Sequence, residues 1–130
     1  MSLQAGLPEY SSEVRRRFER APRLGHLVGK LPGRVSGAAG DVRQGVRVVF
    51  EARLAEGRVA ECRFRAYGCP HVIAAASWVA EHAEGRPADP AGWPDVHQLA
   101  RLLQVPPHKL GSLLVVQDAF RACMAAPREA

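Results

Sequence analysis

Near the start of the chain, apolar residues recur at the spacing of a helix. In the segment YSSEVRRRFERA, Tyr10, Val14 and Phe18 follow one another at four-residue intervals, and arginine and glutamate fill most positions between them. The spacing predicts an amphipathic helix that packs through these three side chains. Ser11 or Ser12 is suited to cap its start, because a serine oxygen can accept from a free backbone N–H of the first turn.

The middle of the chain changes to the period of two that marks a β-strand. Glycine and proline are frequent from Pro22 to Gly40, which predicts loop with a short edge strand. The segments GVRVVFEARL and RVAECRFRAY then flank a glycine-containing turn and predict a hairpin. Its buried face is predicted to hold Val46, Val48, Phe50, Ala52 and Leu54 on the first strand and Ala60, Cys62, Phe64 and Ala66 on the second.

Helical patterns return after the hairpin. The alanine-rich segment HVIAAASWVAEHAEG has no interior glycine or proline and predicts a helix that ends at Gly85. Asp95 is suited to cap the next helix, and a last helix covers LGSLLVVQDAFRACMAA. The apolar seams of these two helices are Val96, Leu99, Leu102 and Leu103, and Leu113, Val116, Phe120 and Cys123. The order helix, hairpin, helices predicts an α+β fold with a small antiparallel sheet of about three strands covered by helices.

Composition narrows the class of protein. A chain of 130 residues with 47% hydrophobic and 24% charged residues is expected to form one domain over residues 1–130. No run of about 18 apolar residues is present, and the opening segment lacks the features of a signal peptide, so we expect a cytoplasmic protein. The net charge of +5 suggests an anionic partner. Because basic and acidic residues are intermingled along the chain, we do not expect nucleic-acid binding.

The three cysteines are predicted to differ in role. An odd number of cysteines in a reducing compartment gives no disulfide framework, and without a CxxC pair no zinc site can form from cysteines alone. Cys62 and Cys123 fall on apolar faces and are expected to be buried packing residues. Cys69 lies at the junction between a strand and a helix.

A thiol at this junction has two interpretations. The free N–H groups and positive potential of a helix N-terminus stabilise a thiolate, the form of cysteine that binds metal or attacks sulfur. Gly68 permits close approach of the chain, and Pro70 suits the first helical turn. Physical chemistry alone leaves open whether Cys69 is a reactive or ligating thiol or an inert buried one.

A resemblance to a known family is carried by four segments of the chain. In order, they are YSSEVRRRFERAPRLGHL, GAAGDV, ECRFRAYGCPHVIAAASWVAEHAEG and LQVPPHKLGSLLVVQDAFRAC. Together they resemble the U-type iron–sulfur cluster assembly scaffolds, the family of the NifU N-terminal domain and IscU. The resemblance implies an α+β fold and a scaffold rather than an enzyme. It also implies a transient cluster built from iron and from persulfide sulfur delivered by a cysteine desulfurase, followed by transfer to apo-protein clients.

The resemblance implies a ligand set that this chain keeps only in part. The family's first loop has a cysteine followed by Gly-Asp, and here Ala39 replaces that cysteine while Asp41 is retained. Cys69 matches the second cysteine. The family's later His-Cys pair corresponds to Gly111 and Ser112. Asp41 and Cys69 are therefore the matched ligands for a transient cluster or for an iron or zinc ion.

Two histidines lie near these positions. His71 is a further candidate ligand, although a histidine two residues into a helix is more often solvated or a capping partner. The VPPHK run resembles the family's chaperone-recognition segment, with His108 in place of an aliphatic residue. That replacement weakens the expectation of a chaperone partner, and His108 is also a weaker ligand candidate than His71.

Iron–sulfur clusters are usually held by about four ligands, and this chain keeps only two of the family's set. Three functions therefore stay open. In the first, the chain is a cluster scaffold that binds through Cys69 and Asp41 and borrows ligands from another chain or a small thiol. In the second, Cys69 accepts a persulfide, as in SufE-type sulfur acceptors. In the third, the chain is an interaction module that has kept the fold and lost the chemistry. Asp41 favours the first, and the missing cysteines favour the second.

Overall fold

The computed structural model describes residues 10–29 and 32–127. These residues form three strands in one antiparallel sheet, in the order β1-β2-β3, together with four α-helices. The elements are α1 (Ser12–Glu19), β1 (Arg34–Asp41), β2 (Val46–Ala55), β3 (Arg58–Tyr67), α2 (Pro70–Ala83), α3 (Val96–Leu103) and α4 (Leu110–Ala125). The predicted α+β architecture is confirmed, and the predicted short edge strand is the eight-residue β1.

The hairpin of β2 and β3 has the predicted core face, except near its turn. Arg53 pairs with Glu61, but Leu54 pairs with Val59, so Ala60 is an extra residue on β3. Such a bulge places two residues opposite one and reverses the alternation beyond it. Val59 is therefore buried, and the prediction that Ala60 belongs to the buried face is wrong, because the bulge takes Ala60 out of the alternation. Val46 and Ala66, at the other end of the hairpin, are half-buried and pack against the core.

α1 begins as predicted but packs through a different side chain. The Ser11 hydroxyl accepts a hydrogen bond from the Val14 backbone N–H, and Val14 is fully buried. Phe18 is 49% exposed, so its predicted place on the packing face is wrong. Arg17 is buried instead, because its guanidinium is neutralised by carboxylates on α1 and α2. Its ion-pair partners are Glu13 and Glu81, each at 2.6 Å.

The later helices follow the predicted pattern closely. α2 ends just before Gly85, and the Asp95 carboxylate accepts from the His97 N–H at the start of α3. The predicted seam of α4 is buried in full. Leu102 is 48% exposed, so its predicted place on the α3 seam is wrong. The reason is that Val96, Leu99 and Leu103 already form the one face that α3 buries.

The core lies between the sheet and the two long helices, α2 and α4. Gly37 on β1 allows this close packing, because a Cβ atom there would lie 2.1 Å from the backbone nitrogen of Cys123 on α4. At the end of β1, a Cβ on Gly40 would lie 2.9 Å from the Val115 side chain. The first turns of α4 therefore lie against the strand end that carries Asp41.

Candidate functional site

The strand register brings Asp41 and Cys69 to the same end of the sheet. Gly40 on β1 is paired with Arg47 on β2, and Arg47 is paired with Tyr67 on β3. Because neighbouring strands are about 4.8 Å apart, the ends of β1 and β3 are separated by about 10 Å at this level. Asp41 follows Gly40, and Cys69 comes two residues after Tyr67. The sheet thus places both matched ligands at one end of the molecule.

Cys69 is the N-cap residue of α2. Its carbonyl accepts hydrogen bonds from the backbone N–H groups of Val72 (3.0 Å) and Ile73 (3.2 Å), and its side chain makes no capping hydrogen bond. Pro70 occupies the first helical turn, as predicted. The thiol is half-buried and stands at the positive end of a helix whose cap does not use it. This setting leaves the sulfur available for chemistry.

The other two cysteines are packing residues, as predicted. Cys62 on β3 and Cys123 on α4 are both completely buried. Burial raises the pKa of the Cys62 thiol far above its ordinary value. Burial, followed by the negative charge of Glu51, raises the pKa of Cys123 to about 12. Both thiols stay protonated in the folded protein, which leaves Cys69 as the accessible thiol.

Asp41 is held by a residue that the sequence analysis missed. Its carboxylate accepts from the Arg43 backbone N–H at 2.9 Å and from the Arg43 guanidinium at 2.9 Å and 3.3 Å. Hydrogen bonds from the Arg43 side chain and backbone, with the charge of Arg47, hold the pKa of Asp41 below its usual value. The one sequence signal was the spacing of Asp41 and Arg43, which suits an aspartate that bonds two residues onward.

His71 is buried rather than solvated. It is 4% exposed, and within the described part of the chain neither ring nitrogen has a hydrogen-bond partner. The ring packs edge-on against Tyr10, with the ring centroids 4.8 Å apart. Burial lowers the pKa of His71, and the positive charges of Lys109 and His108 lower it further. The imidazole is therefore neutral and lies close to the turn that precedes α4.

These contacts bring three segments together at one end of the fold: the end of β1, the start of α2 and the start of α4. At the positions that match the family's other ligands, Ala39 and Ser112 are half-buried and Gly111 is exposed. Within residues 10–29 and 32–127, no group of three or more His, Cys, Asp or Glu side chains is arranged to hold a metal ion. Asp41 and Cys69 therefore share an end of the molecule without forming a complete ligand set.

Two adjoining cavities open beside the junction of β3 and α2. One, of about 410 Å³, is lined by Gly45, Ala66, Tyr67, Gly68 and Ile73. The other, of about 240 Å³, shares Ala66 and Tyr67 and also includes Arg47 and Arg65. Tyr67 is 58% exposed between them. The surface next to Cys69 is therefore concave, partly apolar and bordered by positive charge.

The sequence profile of the family described as the NifU-like N-terminal domain matches residues 9–128. The chain is 27% identical over 117 residues to the iron–sulfur cluster assembly scaffold protein IscU of Haemophilus influenzae, covering 89% of this chain and 93% of that protein. It is 28% identical over 116 residues to the protein of the same name from Azotobacter vinelandii, covering 88% and 91%.

Solved structures share the fold. A candidate iron–sulfur cluster assembly scaffold for the SUF system from Fervidobacterium islandicum superposes with a TM-score of 0.68 at 12% identity, covering 88% of this chain and 96% of that one. The N-terminal part of a NifU-like protein from Brucella abortus superposes with a TM-score of 0.64 at 16% identity, covering 88% and 90%.

None of the helices in the described ranges is long and apolar enough to cross a bilayer.

Proposed function

The chain belongs to the NifU-like N-terminal domain family, and on that premise we propose that it is an iron–sulfur cluster assembly scaffold. In this proposal Cys69 and Asp41 bind iron or a transient cluster. The observation that carries it is the placement of one accessible thiol at a helix start, at the same end of the sheet as a carboxylate. A thiolate and a carboxylate together offer iron one soft and one hard donor.

The cargo is held transiently, because the chain supplies fewer donors than a stable cluster needs. About four ligands are usual, and Asp41 and Cys69 are the two that match the family. We propose that another chain or a small thiol supplies the rest. The protein then acts as a carrier of its cargo rather than as an enzyme.

Sulfur reaches the site through Cys69. The Cys69 thiolate attacks the outer sulfur of a persulfide on a cysteine desulfurase. The sulfur–sulfur bond of the donor breaks, the desulfurase cysteine leaves as a thiolate, and Cys69 becomes the persulfide. The concave surface around Tyr67 supports this step, because it gives a donor segment room beside the start of α2.

A second candidate function is that of a sulfur acceptor that never builds a cluster. Two observations favour it: Asp41 is already engaged by Arg43, and the described residues offer no group of three metal-binding side chains. Sulfur relay requires Cys69 and no other ligand. If Cys69 accepts neither sulfur nor metal, the chain is an interaction module on the same fold.

Partners follow from this function. We propose a cysteine desulfurase as donor, apo-proteins as clients and the reducing cytosol as the compartment, consistent with three free cysteines. A chaperone is a further candidate partner. The VPPHK run that resembles the chaperone-recognition segment contains the turn Pro107–Lys109, and the exposed His108 of this turn supports an accessible binding segment.

Anaerobic incubation with a cysteine desulfurase, cysteine, ferrous iron and a reductant separates these functions. For a scaffold, visible absorption grows on the wild type, and intact mass in the absence of iron shows added sulfur. Added sulfur without absorption indicates the acceptor. The absence of both signals indicates the interaction module. Cys69→Ser is expected to lose both signals, whereas the buried-thiol variant Cys123→Ala is expected to keep them. Signals that persist in Cys69→Ser and are lost in Cys123→Ala would overturn the assignment of Cys69.

A further inference from the structure

Arg43 occupies both oxygens of the Asp41 carboxylate. The Arg43 backbone N–H donates to Oδ1 at 2.9 Å, and Nη2 donates to Oδ2 at 2.9 Å. Nε lies 3.3 Å from each oxygen. A guanidinium facing a carboxylate in this forked manner covers the lone pairs that a metal ion would use. The residue that matches a family ligand is therefore already bound.

A second guanidinium adds to the positive field at this carboxylate. Arg47 lies opposite Gly40 in the sheet and donates to the Gly40 carbonyl at 3.3 Å. Its charge acts on Asp41 as well, as a further cause of the lowered pKa of that group. A divalent cation approaching Asp41 thus meets two positive side chains, of which only Arg43 blocks the oxygens directly.

The local backbone allows Arg43 to release the carboxylate without unfolding. Asp41 caps the 3-10 turn Val42–Gln44, and Gly45 closes the turn in the left-handed region at φ 91°. The backbone N–H bond from Arg43 to Oδ1 belongs to the turn and does not depend on the guanidinium. The Arg43 side chain is 88% exposed, so its rotation costs little packing.

We propose that Arg43 is a latch on the metal site: it holds Asp41 while the site is empty and must be displaced when a metal ion binds. This inference rests on the proposed function, since it concerns the same ligand. The latch lowers the resting affinity for metal and makes release easier. Arg43 is a positioning residue that acts on the metal only through Asp41.

Titration with Zn²⁺ and Co²⁺ tests the latch without any assembly assay. Calorimetry gives the affinity for Zn²⁺, and the charge-transfer absorption of Co²⁺ reports thiolate coordination. We expect Arg43→Gln to bind either ion about 2- to 5-fold more tightly than the wild type, the upper part of the range expected when an exposed ion pair no longer competes. In the background of Asp41→Asn, Arg43→Gln is expected to give no gain.

Arg53→Gln is the matched control. Arg53 pairs with Glu61 at 3.2 Å and lies opposite Arg34, at the far end of β1 from Asp41. The variant Arg53→Gln removes the same charge as Arg43→Gln. It is expected to change metal affinity by less than about 2-fold, because solvent screens distant surface charges. Equal gains in the two arginine variants, or a gain that survives Asp41→Asn, would overturn the latch.

Different results overturn the Arg43 latch and the scaffold function. Metal affinities that do not respond to Arg43→Gln, or an absence of metal binding in every variant, overturn the latch while sulfur transfer to Cys69 can still proceed. A gain that depends on Asp41, without cluster formation under reconstitution, supports the latch and overturns the scaffold function.

Discussion

Gly37 of β1 lies directly against Cys123 of α4, with no room for a side chain between them. Gly37→Ala is expected to lower the free energy of unfolding by about 1–3 kcal/mol, because the helix must move away from the strand. Urea denaturation measures the change. Gly111→Ala is the control, since Gly111 is helical and a Cβ there meets nothing within 4 Å. We expect it to be neutral or slightly stabilising, and equal losses in both variants would contradict the packing argument.

Arg17, not Phe18, fixes α1 to the domain. Arg17→Ala is expected to destabilise the protein by about 1–3 kcal/mol, because Ser77 and two carboxylates lose their buried partner. Phe18→Ala is expected to cost less than about 1 kcal/mol, since the ring is half in water. Thermal or urea denaturation compares the two. A larger loss for Phe18→Ala would restore the face predicted from spacing.

The two buried thiols make the protein sensitive to alkali. Burial raises the pKa of the Cys123 thiol from its ordinary value of 9.0 to about 12 in the folded state. The unfolded state therefore loses this proton first, and stability falls as the pH rises from about 9 to about 12. The slope is about 1.4 kcal/mol per pH unit for each such thiol. Cys123→Ala is expected to have a shallower slope in urea denaturation at high pH, and an unchanged slope would contradict this account.

Thiol labelling of the native protein separates the cysteines by exposure. Cys69 is expected to react fast, while Cys62 and Cys123 react only as the domain opens, because both are completely buried. Mass spectrometry of the digested protein identifies the labelled residue at each time. If Cys62 or Cys123 is labelled as quickly as Cys69, the core assigned to the hairpin and α4 is incorrect.

Local periodicity was sufficient to predict the order of elements and the burial of Cys62 and Cys123. Both residues lie on faces that their own strand or helix defines. The errors arise where a distant partner decides the outcome. Arg17 is buried because Glu81 lies on another helix, and Val59 replaces Ala60 because pairing with β2 inserts a bulge. Neither partner can be read from the spacing of apolar residues.

The candidate site was only partly predictable for the same reason. Cys69 was singled out by its place at the junction of a strand and a helix, and Asp41 by the resemblance in sequence. The strand register then placed both at one end of the sheet. The hydrogen bonds from Arg43 to Asp41 depend on the turn that follows β1. The burial of His71 depends on Tyr10, a residue 61 positions away, whose ring covers it. The spacing of Asp41 and Arg43 is a local signal for the first contact, whereas side-chain type and spacing carry no information about the second.

Cluster transfer to an apo-ferredoxin measures whether Cys69 carries the cargo. The protein is loaded anaerobically with ferrous iron, cysteine and a desulfurase, and the circular dichroism of holo-ferredoxin is followed in time. We expect the wild type to accelerate the appearance of holo-ferredoxin over the desulfurase alone, and Cys69→Ser to abolish the acceleration while remaining folded. Transfer by Cys69→Ser at the rate of the wild type would contradict the claim that this thiol carries the cargo.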